Sequence, residues 1–166
     1  MEIKNVILYC RVSTEEQEKG SSLNWQEDYL RRYCEMKHYN VVAVYKEDKS
    51  AKSGFKKRTE FQALMKFCKA HKHEVDYVFV YRWDRYSRNL KEALINLDYF
   101  EKLGIEVNSV EQNIDFNASD YITMLSLYIS MAQSEDTKIS RRTKEGIHAS
   151  LEKGKCTYKA PRGYIN

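Results

Sequence analysis

Apolar positions along the chain follow two alternating rhythms. Short runs of strand length occupy Asn5–Val12, Val41–Lys46, Val75–Tyr81 and Glu106–Val110. Between them apolar residues recur every three or four positions, which predicts helices from about Asn24 to His38, Thr59 to Ala70 and Asn89 to Leu103. Phe61, Leu64, Met65 and Cys68 share one face of the second of these, and Gly104 stops the third. Polar, glycine-bearing stretches at Thr14–Ser22 and Glu47–Lys57 read as loops. Strands alternating with helices at this spacing predict βαβ units around a parallel sheet, an α/β fold.

The last helical pattern runs from Asp120 to about Lys153, without proline and with Gly146 as its only glycine. Such a helix would be on the order of 50 Å long, more than a domain of this size covers. Its first third (Tyr121 to Ala132) is apolar nearly all round, so it needs cover on every side. The chain's own sheet covers one face, which leaves a second subunit for the other. Tyr121, Met124, Leu125, Tyr128 and Met131 are therefore the candidate dimer-interface residues.

Charge sharpens this picture. The net charge is only +4, but residues 133–166 carry eight Lys/Arg against four acids, leaving 20 of each sign in 1–132. The excess positive charge thus lies in the C-terminal fifth, where Arg141, Arg142, Lys144, Lys153 and Lys155 are candidate contacts to a phosphate backbone. A solvated helix tail accounts for the charge pattern equally well. At 166 residues the chain holds about one core. No run of eighteen apolar residues and no signal-peptide pattern is present, so a cytoplasmic protein is expected. Cys10, Cys34, Cys68 and Cys156 lie far apart and read as reduced thiols rather than as a disulfide framework or zinc site.

Two strand ends carry the candidate chemistry. One runs into Tyr9-Cys10-Arg11-Val12-Ser13-Thr14, the other into Asp84-Arg85-Tyr86-Ser87-Arg88. In an open parallel sheet both loops lie at the carboxyl edge, where such folds place their ligand crevice. One hydroxyl then faces three guanidinium groups, an arrangement suited to a serine attacking a phosphate without a metal. Ser13 alone is weak evidence, because Ser13-x-x-Glu16 fits a capping box. Arg11, two residues earlier and so on the same strand face, changes the odds. Arg85 and Arg88 share a face if a helix begins near Tyr86, at the positive end of its dipole, where two cations are disfavoured unless an anion sits between them. Asp84 would orient a guanidinium or donate a proton. No Ser-His-Asp triad can be placed, and none of the thirteen tyrosines is proposed as nucleophile.

These segments resemble the catalytic domain of the serine recombinases, the resolvase/invertase family, over nearly the whole chain. Tyr9 to Gln17 is similar to the family's nucleophile segment, and Ser22-Leu23-Asn24-Trp25-Gln26 to the segment whose glutamine, here Gln26, lies near the scissile phosphate. Glu47-Asp48-Lys49-Ser50, Ser53-Gly54 and Arg58 resemble its acidic loop and following arginine; Asp84 to Arg88 resembles its second arginine cluster. Gln133-Ser134-Glu135 resembles the helix through which the family dimerises. The longer spacer Glu18–Ser22 and Ala160-Pro161-Arg162-Gly163-Tyr164 resemble the large serine recombinase or integrase subfamily, as does Asn89, where small resolvases often have an acid; Thr59 stands where the family frequently has proline.

The resemblance implies a three-layer, resolvase-like α/β domain with a mainly parallel sheet of four to five strands and a long C-terminal oligomerisation helix. Residues 1–118 would form the catalytic domain, 119–154 the dimerisation and DNA-contacting helix, and 155–166 the start of a linker to a DNA-binding region beyond the sequence. It implies a bacterial or phage-encoded site-specific recombinase in which Ser13 forms a 5′-phosphoserine link, acting in integration, excision, inversion or transposition. Arg11, Arg85 and Arg88 would neutralise the phosphate, with Asp84, Gln26, Asp48 and Arg58 in supporting roles. The partners would be double-stranded recombination sites and a homodimer assembling into a synaptic tetramer; no cofactor is required. The rival readings are a non-catalytic dimerising module of a DNA-binding protein and a metal-independent phosphatase.

Overall fold

The computed structural model describes residues 3–12, 23–48 and 55–155, and of 132–140 the backbone only. Four strands, β1 (Asn5–Arg11), β2 (Asn40–Glu47), β3 (Tyr77–Val80) and β4 (Glu106–Ser109), form one sheet in the order β2-β1-β3-β4. All three pairings are parallel. The helices are α1 (Leu23–Met36), α2 (Thr59–Ala70), the single turn α3 (Trp83–Tyr86), α4 (Leu90–Lys102) and α5 (Tyr121–Glu152), with a 3-10 turn at Phe55–Lys57. The expected strand–helix alternation is thus present, and the sheet has the lower of the two strand counts expected.

Strand β1 is central, and its two faces feed two cores. Val6, Leu8 and Cys10 pack with Leu30 and Cys34 of α1 and with Phe79, while Ile7 and Tyr9 join Phe61, Leu64, Val78, Ala93 and Phe100 on the opposite face. A strand buried on both faces reads as a continuous apolar run rather than an alternation, which is the pattern of Val6 to Cys10. Chain order reverses between β1 and β3: β1 leads outward to β2, and the next crossover returns past β1 to β3. In open parallel sheets a ligand crevice lies at such a reversal, here outside the carboxyl ends of β1 and β3.

Local chemistry sets the ends of the elements. Asn89 caps α4 by accepting from the Glu92 N–H at 3.2 Å. Gly104, at φ 76°, takes the left-handed position that terminates α4. Cys10, Cys34 and Cys68 are buried thiols, each pushed up by burial, to about 12, 11 and 12 respectively.

The chain divides into two units, Met1–Ser130 and Met131–Asn166. In the first, Leu125 and Ile129 of α5 are 0% and 1% exposed and belong to the core beneath the sheet. Leu125 is therefore not available as an interface residue: its own core covers it. Tyr121 and Tyr128 pack partly against the same core, whereas Met124 stays 37% exposed and Met131, in the second unit, 55%. Of the second unit, the described side chains of Arg141, Arg142, Lys144, Lys153 and Lys155 are exposed. Among the described residues no helix is long and apolar enough to cross a membrane.

Candidate active site

The crevice at the chain-reversal point is lined by charge. Arg11, the last residue of β1, is 0% exposed, and so is Arg58, which precedes α2. Arg85 in α3 is 6% exposed, and Arg88 is partly buried. The described acids beside them are Glu47 (0% exposed), at the end of β2, and Asp84. Guanidinium groups thus outnumber carboxylates in a largely desolvated region, which leaves a positive potential at the sheet edge.

Arg11 is held by backbone. Its Nε donates to the Arg85 carbonyl at 2.7 Å and its Nη1 to the Val12 carbonyl at 2.8 Å, while Nη2 donates to the Asp84 carbonyl. A single side chain thereby ties the end of β1 to the α3 turn. Burial, then the neighbouring Arg58, lowers its pKa from the ordinary arginine value; at neutral pH it remains a cation. Gln26 of α1, 0% exposed, clamps the same residue from the other side. Its Oε1 accepts from the Arg11 N–H at 3.3 Å and its Nε2 donates to the Arg11 carbonyl at 3.1 Å. The Arg11 guanidinium and the Gln26 amide, both expected near the phosphate, thus also brace the end of β1.

Arg58 is anchored the same way. It donates to the Tyr86 carbonyl at 2.5 Å and lies over the Phe55 ring at 4.2 Å. Asp84 accepts from Arg85 Nη1 at 2.8 Å. The helical placement of Arg85 and Arg88 requires correction. Helix α3 ends at Tyr86, Ser87 is extended at φ −148°, and α4 begins only at Leu90. Arg85 thus sits in the last turn of one helix and Arg88 between two helices, so they do not share a helical face.

Other predicted positions are distributed as follows. Asp48 is exposed just past β2, while its neighbour Glu47 points into the protein and accepts from the Glu60 N–H at 3.1 Å at the start of α2. Glu47 was missed, although it pairs in register with Arg11 and lies in phase with Ala43 and Tyr45, which pack against the core. Ser13, Lys49, Ser50, Ser53, Gly54 and the 156–166 segment lie outside the described residues. Hydroxyls of the described crevice are occupied or inert. Ser87 Oγ donates to the Asn89 carbonyl at 3.0 Å, and Ser109 Oγ to the Tyr81 carbonyl at 2.8 Å. Burial raises the Tyr9 phenol to about 12 and raises Tyr86 further. No group of three or more metal-ligating side chains occurs among the described residues.

The sequence and fold are similar to those of known proteins. The family described as "Resolvase, N terminal domain" matches residues 6–156. The Tn917 transposon resolvase of Enterococcus faecalis is 27% identical over 158 residues, covering 95% of this chain and 77% of the relative. The crystal structure of the N-terminal catalytic domain of TP901-1 integrase aligns with TM-score 0.60 and 28% identity, over 84% of this chain and 98% of that one. A resolvase-family site-specific recombinase from Streptococcus pneumoniae aligns with TM-score 0.59 and 28% identity, over 90% and 99%. The chain belongs to the resolvase family and is a serine recombinase catalytic domain. Its class of activity is the cleavage and rejoining of DNA strands.

Proposed function

We propose that this domain recombines DNA through a 5′-phosphoserine intermediate formed at Ser13. Ser13 Oγ attacks a phosphodiester in line: an Oγ–P bond forms, the bond from phosphorus to the 3′ oxygen breaks, and the 3′-hydroxyl leaves carrying a proton. The serine ester conserves the phosphodiester bond energy, so attack by a 3′-hydroxyl rejoins a strand without a nucleotide cofactor. The observation that carries this reading is the excess of buried guanidinium over carboxylate where β1 ends, one residue before Val12 leads into Ser13. A phosphate dianion-like transition state completes that charge balance.

The arginines divide the labour. Arg85 and Arg88 contact the phosphate. Arg11, Gln26 and Arg58 are positioning residues that hold the edge on which the phosphate rests, Asp84 aligns Arg85, and Asp48 lies at the rim. Residues 1–118 supply catalysis, 119–154 dimerisation and DNA contact, and 155–166 lead towards a DNA-binding region. Arg141, Arg142, Lys144, Lys153 and Lys155, all exposed, follow the duplex backbone. Met124 and Met131, with Tyr121 and Tyr128 at the margin, cover a second copy in a dimer that pairs into a tetramer, acting in the bacterial cytoplasm. The recombination is integration, excision, inversion or transposition of a mobile element.

Two experiments test this. The protein incubated with DNA spanning its crossover site in EDTA gives a covalent adduct on a denaturing gel; a strict requirement for Mg²⁺ overturns the arginine-only site. Met124→Asp places a charge among Ile122 (47% exposed), Met124 (37%) and Leu127 (51%), and weakens self-association about tenfold or more in sedimentation velocity. Unchanged sedimentation removes this face from the interface.

A further inference from the structure

The same sheet edge carries an aromatic cluster that the cleavage chemistry does not use. Trp25, in the first turn of α1, stacks on Tyr29 with centroids 5.6 Å apart and planes at 29°. Tyr81, which follows β3, meets both edge-on, at 5.0 Å from Trp25 and 5.1 Å from Tyr29. The rings hold one another in place, yet Trp25 remains 46% exposed. The other tryptophan, Trp83, is 0% exposed and donates to the Gln112 carbonyl at 2.8 Å. Core packing therefore accounts for Trp83 and not for Trp25.

The cluster is anchored to the crevice through both of its chain segments. Trp25 precedes Gln26, whose amide brackets the Arg11 backbone. Tyr81 precedes Arg82, which stands 3.7 Å from Asp84, the carboxylate that holds Arg85. Arg82 is 46% exposed at its side chain. The Tyr29 hydroxyl donates to Glu111 Oε2 at 2.9 Å, which fixes a carboxylate at the rim as an acceptor.

Flat apolar area, adjacent cationic charge and a fixed acceptor together match a nucleobase with its flanking phosphate. A cut strand supplies such a base, because the nucleotide at a broken end loses a stacking neighbour. Resting on the recombinase reading, we propose that Trp25, Tyr29 and Tyr81 form a platform that receives an unpaired base of the cleaved strand. Arg82 contacts the adjoining phosphate, and Glu111 accepts from a base amino group.

The test compares a fluorescently labelled hexadeoxynucleotide with an abasic sugar-phosphate strand of equal length, by anisotropy. Wild type prefers the base-bearing strand by roughly tenfold. Trp25→Ala abolishes that preference while leaving abasic binding unchanged, and Trp25→Phe retains part of it. Equal binding of the two strands by wild type overturns the platform, as does a preference that survives Trp25→Ala. A Trp25→Ala variant altered only in sedimentation would make the cluster a protein interface and also overturn it. The assay needs no cleavage and is repeated in Ser13→Ala. Ser13→Ala keeps the base preference. In wild type, a base preference with no adduct on crossover-site DNA leaves the platform standing and removes the recombinase mechanism, and an adduct with no base preference does the reverse.

Discussion

Ser13→Ala eliminates the covalent protein–DNA adduct and lowers strand cleavage by about a thousandfold or more, equivalent to about 4 kcal/mol of transition-state stabilisation. Duplex binding, measured by anisotropy in the same buffer, stays unchanged, because the alanine variant keeps every arginine at the crevice. The expectation rests on the shortage of substitutes. Among the described residues at this edge, Ser87 and Ser109 spend their hydroxyls on the carbonyls of Asn89 and Tyr81. Burial holds the Tyr9 and Tyr86 phenols protonated far above neutral pH. Water could in principle attack a phosphate polarised by Arg85 and Arg88, but that route leaves no protein–DNA bond. A denaturing gel therefore separates the cases: adduct persisting in Ser13→Ala would transfer the nucleophile to another residue, and cleavage without adduct would make the domain a hydrolase.

The sheet was legible because its signal is local. Val6 to Cys10 is apolar on both faces, and Phe61, Leu64 and Cys68 recur at helical spacing, so strand and helix identities follow from single segments. The arginine motif was legible as a motif, whereas its geometry was not. The bend at Ser87 depends on its hydroxyl bridging to Asn89, with the Ser87 N–H bonded to the Trp83 carbonyl at 2.9 Å, and no helical periodicity announces such a break. Leu125 shows a second limit. Apolar residues on every side of a helix state that cover is needed, not which neighbour supplies it, and here the chain's own core takes Leu125 and Ile129 while Met124 stays partly outside. Glu47 was within reach of strand alternation, since it lies in phase with Tyr45 and opposite to Asp48. Its acidity drew it into the loop reading instead. The anchoring of Arg11 was beyond the sequence, because two of its three carbonyl partners lie more than seventy positions away.

That role gives the second large effect. Arg11→Ala destabilises the domain by about 3–5 kcal/mol, a fall in unfolding midpoint of about 10 °C for a chain of this size, read by circular dichroism and checked by urea titration. The side chain is 0% exposed and donates to the carbonyls of Val12, Asp84 and Arg85. Each hydrogen bond from a charged donor contributes about 1.5–3 kcal/mol, and water entering the vacated space recovers part of the loss. Arg11→Lys keeps the charge but replaces a planar fork by one ammonium, which cannot span three carbonyls set around it, so it restores less than half of the lost stability. Arg88→Ala makes the contrast. Lying between Ser87 and Asn89 and only partly buried, it leaves the unfolding midpoint within a few degrees while adduct formation falls at least about a hundredfold. The two variants therefore separate an arginine that builds the crevice from one that works in it. An Arg11→Ala protein with an unchanged midpoint would return that guanidinium to the phosphate, and would mean that the α3 turn reaches β1 without it.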